Sequence, residues 1–355
     1  LRFKSFKEFN AVRAAAFASL LLAAVIGCAP AANACDEYYR GPVYKLLDEW
    51  SKTCGHPLCG HVHVAEPSLM KETVKNCDKP GWMSMREDVR ATVISGGPVF
   101  YGEVHDNPLH HELRSRLGLS AYSSIVLEQV GADKTAALDA FQAETKLNYK
   151  ADALEKFKTA VDWQNSGWQT YNYDPLLVAA LKAQAPIFAG DASRDIIKKV
   201  AKEGASVISA EERTNLKLDV PLGEKADAAL LEELFDGHCK MTPKDALGPM
   251  AEAQRYRDAV MADAVLRAID QRGATVLMAG NGHLRKDRGV PWYIRQRAPE
   301  KKLLTVMMVE VEDGKTDAEA YVPRDPDGKP AVDYIIFTPR APHEDHCAAM
   351  KKKDG

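Results

Sequence analysis

The sequence predicts an α/β protein: a mostly parallel sheet with flanking helices and a smaller helical cap over the sheet's carboxyl edge. Three observations predict it. Short apolar runs (98–101, 124–127, 186–189, 274–279 and 303–309) alternate with amphipathic helical patterns such as 134–144, 174–184, 194–203 and 250–271, the rhythm of parallel strands joined by helical crossovers. The runs end in glycines, carboxylates and imidazoles, and in open α/β sheets that end is where ligands bind. The stretches 138–168 and 211–249 are helical in composition and contribute no strand, so they are assigned to the cap.

Taken in order, residues 1–34 read as an export signal. Arg2, Lys4, Lys7 and Arg13 precede an apolar segment, 14–26, that is too short to span a bilayer. Two processing readings stand open. Val25-Ile26-Gly27-Cys28 resembles a bacterial lipobox, which would leave Cys28 lipid-modified and the chain membrane-anchored. Ala32-Asn33-Ala34 offers a small-residue site that would release a soluble periplasmic protein. Residues 35–95 form a cysteine-rich lead-in, 96–312 the α/β domain with its cap, and 313–355 a turn-rich tail with one more strand at 334–337.

Six cysteines remain beyond Cys28: Cys35, Cys54, Cys59, Cys77, Cys239 and Cys347. An even count in an exported chain reads as a disulfide framework, with fifteen pairings open. Cys54–Cys59 locally and Cys239–Cys347 at long range are the pairs put forward. The alternative for Cys54, His56, Cys59, His61 and His63 is a soft metal site. The net charge of -3 leaves no basic excess, which sets nucleic-acid binding aside.

The strand ends carry the chemistry. Glu103, His105 and Asp106 follow the first run, Glu128 and Gln129 the second, Asp191 and Arg194 the third, Asn281 and His283 the fourth. Two of these junctions are G-x-x-H: Gly102 to His105 and Gly280 to His283. Imidazole nitrogen and carboxylate oxygen are the usual donors to a divalent metal, so Glu103, His105, Glu128 and His283 are candidate ligands. The same groups can work as a metal-free acid and base pair, or simply satisfy one another as buried polar groups must. No H-E-x-x-H helix and no G-x-S-x-G elbow is present.

Gly102-Glu103-Val104-His105-Asp106-Asn107 with His110-His111 resembles the signature of the ChaN-like haem-binding lipoproteins, within the wider Tiki/TraB/erythromycin-esterase-like group marked by paired GxxH motifs. Other stretches agree in order: His56-Pro57-Leu58, Val126-Leu127-Glu128, Trp168 through Tyr173-Asp174-Pro175, Gly237-His238-Cys239, Gln254 with Arg257-Asp258 and Met261-Ala262, Gly280 to His283 with Gly289-Val290-Pro291, and Asp333 through Pro339 with Cys347. Where the family commonly has a basic-aromatic pair after its HPL, this chain has His61-Val62-His63.

The resemblance implies an exported protein of the periplasm or outer membrane that binds haem through a tyrosine. It implies service to an outer-membrane haem receptor, and a homodimer with haem held between protomers. Tyr171, Tyr173 and Tyr256 lie in matching stretches and are the candidate axial ligands; His105, His283 and Arg257 complete the candidate haem contacts. With no C-x-x-C-H in the chain, covalent attachment is not supported. The Tiki branch implies the alternative, a metal-dependent hydrolase in which Glu103, His105, Glu128 and His283 hold the ion or activate water. A disulfide-stapled binding module without chemistry would need no convergent edge at all.

Overall fold

The computed structural model describes residues 41–342 and Cys347. The export signal, Cys28 with both processing readings, Cys35 and the run Lys351 to Lys353 lie outside the described residues. Seven strands form one sheet: β1 (Val62–Val64), β2 (Val99–Glu103), β3 (Ser124–Gly131), β4 (Ile187–Asp191), β5 (Thr275–Gly280), β6 (Leu304–Glu310) and β7 (Tyr334–Thr338). Their order is β1-β7-β6-β2-β5-β3-β4. All neighbours run parallel except β1, which is antiparallel to β7. The fold is α/β, with eleven α-helices among the described residues.

Every residue of β2, β5 and β7 is buried. That is why these strands read as unbroken apolar runs rather than alternating ones: a parallel sheet covered on both faces has no polar side. The six longer strands follow the apolar runs of the sequence. Strand β1 does not; it is three residues long, sits among histidines, and owes its existence to pairing with β7.

Prolines open several helices, where a missing N–H costs nothing: α1 (Pro42–Thr53), α2 (Pro80–Ile94), α3 (Pro108–Ser115) and α11 (Val290–Arg297) among them. Between α3 and α11 lie α4 (Thr135–Thr145), α5 (Ala153–Ala160), α6 (Asp174–Lys182), α7 (Arg194–Glu203), α8 (Ala210–Leu216), α9 (Glu224–Gly237) and α10 (Gly248–Arg272). The longest, α10, buries Ala253, Ala259, Ala262, Ala264 and Ala268. These small side chains let it lie close to α7, α11 and the sheet, building a core with Phe100, Val126 and Leu277.

Helix α4 lies beside the sheet rather than over its carboxyl edge. The Gln142 amide accepts from the Ile187 N–H at 2.7 Å and donates to the Ile187 carbonyl at 3.0 Å. It thereby imitates a neighbouring strand along the open side of β4, covering an otherwise unpaired edge. The segment after α5 is the part that reaches the strand ends, through Trp163 and Trp168.

Cys54 pairs with Cys59, and Cys239 with Cys347. The first pairing corrects the soft-metal alternative at 54–63, because the thiolates it needs are joined to each other. His61 is exposed and His63 Nε2 lies 3.0 Å from Glu319.

Candidate functional site

Strand β2 ends in Glu103, whose side chain is fully buried. A carboxylate there is tolerable only if its lone pairs are filled by donors. The Tyr173 hydroxyl donates to Oε1 at 2.6 Å, His105 Nδ1 lies 2.9 Å from the same oxygen, and Gln129 Nε2 reaches it at 3.5 Å. On Oε2 the Arg114 guanidinium forms an ion pair, and His111 Nε2 stands 3.2 Å away. Burial alone would raise the Glu103 pKa, but Arg114, His105 and His111 outweigh it and hold the carboxyl at about 2.

Helix α3 supplies two of these partners because His111 and Arg114 are one turn apart and share a face. Asn107 caps the helix by accepting from the Leu109 N–H at 2.8 Å. His110 turns the other way. Its Nδ1 accepts from the Val104 N–H at 2.9 Å, so Nε2 carries the proton toward Thr338 Oγ1 at 2.7 Å. Of the adjacent histidines, only His111 meets Glu103.

The second cluster forms around Glu128 in β3, where pairing with β4 shifts register between Leu127 and Gly131. Such irregularities re-aim side chains, and here sequence neighbours Glu128 and Gln129 are both buried at the site. Glu128 Oε1 accepts from Arg257 at 2.6 Å and Oε2 from the Gly280 N–H at 2.6 Å. Arg257 also pairs with Asp191 at 2.7 Å. His283 is held between two acids, Nδ1 2.6 Å from Asp258 and Nε2 3.3 Å from Glu128. Burial by itself lowers the His283 pKa; the charges of Glu128 and Asp258 overcome that and push it up to about 10. Glu128 is correspondingly held well below the usual carboxylate range by His283, His105 and Arg257, against its burial.

The two clusters meet at His105. Its Nε2 lies 3.9 Å from Glu128 and its ring packs edge-on against Trp168, with centroids 4.9 Å apart. Of the four groups named for the edge, only His105 is substantially open to solvent, its side chain 34% exposed. Gly280 makes room for it: a Cβ there would lie 2.6 Å from His105 Nε2. Gly280→Ala is therefore expected to displace the imidazole and cost about 1–3 kcal/mol of stability, measurable by urea unfolding.

Glu103, His105, Glu128 and His283 thus share one edge, but they do not suit a metal ion. Their carboxylates are occupied by Arg114 and Arg257, and His283 Nδ1 is bound to Asp258. A cation would have to displace a guanidinium from each acid. Among the described residues no group of three or more His, Cys, Asp or Glu side chains is arranged to hold a metal.

The tyrosines separate in the same way. Tyr173 is fully buried and donates to Glu103; Tyr256 is buried in the α10 core and donates to Glu212 at 3.0 Å. Tyr171 is half-buried, its ring centroid 6.4 Å from that of Tyr173, and its hydroxyl has no partner among the described residues. Arg257 is fully engaged by Glu128 and Asp191.

The family described as haem-binding uptake, Tiki superfamily, ChaN matches residues 93–294, which span this edge from Glu103 to His283. The chain belongs to that family. Among solved structures, the chain is similar in fold to ChaN of Campylobacter jejuni, described by its cofacial haem binding, at 19% identity and a TM-score of 0.50, over 70% of this chain and 90% of that one. The type III effector HopBA1 is more remote, at 12% identity and a TM-score of 0.34, over 71% and 92% of the two chains. So is a Bacillus cereus protein, at 12% and 0.31, over 76% and 75%. No curated protein matches.

Residues to which the sequence assigned no site role complete the ChaN-family edge here. Arg114, His111, Asp258 and Gln254 (Nε2 3.2 Å from His283 Nδ1) all touch it. Asp258 carried a signal, since it stands beside Arg257 in the family's helix pattern. Arg114 carried a weaker one, an arginine on the buried face of a short helix.

Proposed function

We propose that the chain binds haem for uptake, with Tyr171 as the axial ligand. The observation that carries this is the Tyr171 hydroxyl, without a partner among the described residues, in a chain of the family described as haem-binding uptake, Tiki superfamily, ChaN. Haem binding calls for a donor atom able to reach the iron, a phenolic oxygen being one, and an apolar surface to lie on. Tyr171 supplies the phenolic oxygen and half-buried Trp168 an aromatic wall next to it. Haem would supply a ferric iron, which the Tyr171 oxygen would hold. The chain's own contribution is rigidity: Tyr173, fixed on Glu103, packs edge-on to both Tyr171 and Trp168 and holds the two outer rings.

Haemin titrated into the protein is expected to give a saturable Soret shift; an absorbance that rises linearly with haemin overturns the reading. The cofacial arrangement named for the Campylobacter jejuni protein supports two copies closing on haem. Sedimentation velocity should then show a dimer only when haemin is present. The reading includes export and delivery to an outer-membrane haem receptor, with the chain anchored through Cys28 or released after Ala34. Palmitate labelling lost on Cys28→Ser separates those two routes.

A further inference from the structure

Tyr171 leaves the chain at a tight turn just before α6. The Tyr173 N–H donates to the Tyr171 carbonyl at 3.0 Å, the i to i+2 closure of a γ-turn. The two rings part company there: Tyr173 is buried with its hydroxyl on Glu103, while Tyr171 is half-buried. Between them Asn172 is exposed, and its side chain makes no hydrogen bond among the described residues.

The Asn172 backbone, by contrast, is anchored from inside. Its carbonyl lies 2.9 Å from His111 Nδ1. A carbonyl has no proton to give, so Nδ1 is the donor. Helix α3, which carries His111, packs against α6. His111 itself is buried, its ring stacked on that of Tyr173 with centroids 4.1 Å apart. The other nitrogen, Nε2, stands 3.2 Å from Glu103 Oε2. One imidazole therefore spans the distance from the buried acid at the end of β2 to the backbone one residue beyond Tyr171.

A ligand atom has to be held within about 0.5 Å of its working position by the groups around it. The Tyr171 hydroxyl has no partner among the described residues to do this. Packing against Tyr173 limits the tilt of the ring, but the point and direction at which the ring leaves the chain are set by the turn. His111 is the side chain that grips the turn.

We infer that His111 is a positioning residue for the axial tyrosine: through Nδ1 it fixes the turn from which Tyr171 reaches the iron. This rests on the haem-binding reading with Tyr171 as ligand, and adds to it a residue that acts through the backbone rather than on the iron.

Two amide substitutions separate the roles of the two nitrogens. An asparagine places its amide nitrogen near the position of Nδ1, a glutamine near that of Nε2. His111→Asn thus keeps the donor to the Asn172 carbonyl, whereas His111→Gln keeps the contact with Glu103 and loses that donor. Resonance Raman spectra and haemin titrations of both variants, with urea midpoints alongside, test the assignment. His111→Asn is expected to retain the wild-type phenolate modes and affinity. His111→Gln is expected to shift or lose those modes and to bind haemin about tenfold more weakly, the worth of roughly one hydrogen bond, at a urea midpoint no lower than that of His111→Asn. Without haem, the Tyr173 amide proton should exchange faster in His111→Gln than in His111→Asn. Variants alike in phenolate modes and in Tyr173 exchange, or a loss in His111→Asn as large as that in His111→Gln, overturn the inference and leave the haem reading standing. A wild-type complex without phenolate modes overturns both.

Discussion

Glu103→Ala is expected to lower the free energy of unfolding by about 3–5 kcal/mol, the range seen when one partner of a buried ion pair is removed. The lost carboxylate leaves Arg114 fully buried with no counter-charge; Arg114 Nε and Nη1 already lack partners. It also frees the Tyr173 hydroxyl and His105 Nδ1, so the cost is not confined to one bond. Glu103→Gln keeps the shape and still strands the arginine, and is expected to recover only part of the loss. The same group makes the fold acid-sensitive. Its carboxyl is held at about 2 against an ordinary 4.5, so its contribution is fully present above about pH 4.5 and fades as the pH falls through 2. Urea midpoints of wild type and the two variants across this range check both statements.

On the alkaline side the controlling group is His283. Its folded pKa is raised to about 10 from an ordinary 6.5, so its contribution is complete below about pH 6.5 and is lost as the pH rises through 10. At about 1.4 kcal/mol per unit, the loss amounts to a few kcal/mol. Deprotonation leaves Glu128 and Asp258 facing a neutral ring. His283→Gln is expected to be less stable at neutral pH and to show little further decline between about pH 7 and 10. A wild-type protein equally stable at both ends of that window would show that His283 is neutral in the fold.

Much of this was legible in the sequence, for physical reasons. A sheet covered on both faces needs unbroken apolar strands, and residues after each strand must gather at one edge; hence Glu103, Glu128 and His283 could be placed together without coordinates. Strand β1 was not legible, because three residues paired to one neighbour carry no periodicity. Arg114 and Asp258 were missed because a charge on a helix normally marks the solvated face. What makes them internal is the acid or imidazole opposite, which only the packing of α3 and α10 against the strand ends reveals. Choosing among Tyr171, Tyr173 and Tyr256 likewise needed the hydroxyl partners, since all three lie in helix-and-turn stretches of similar composition.

The most direct measurement is the resonance Raman spectrum of the haemin complex. Ferric iron bound by Tyr171 predicts phenolate ring modes in the wild type that vanish in Tyr171→Phe and persist in Tyr173→Phe and Tyr256→Phe. Phenolate modes that survive Tyr171→Phe unchanged, or that are missing from the wild-type complex, contradict it.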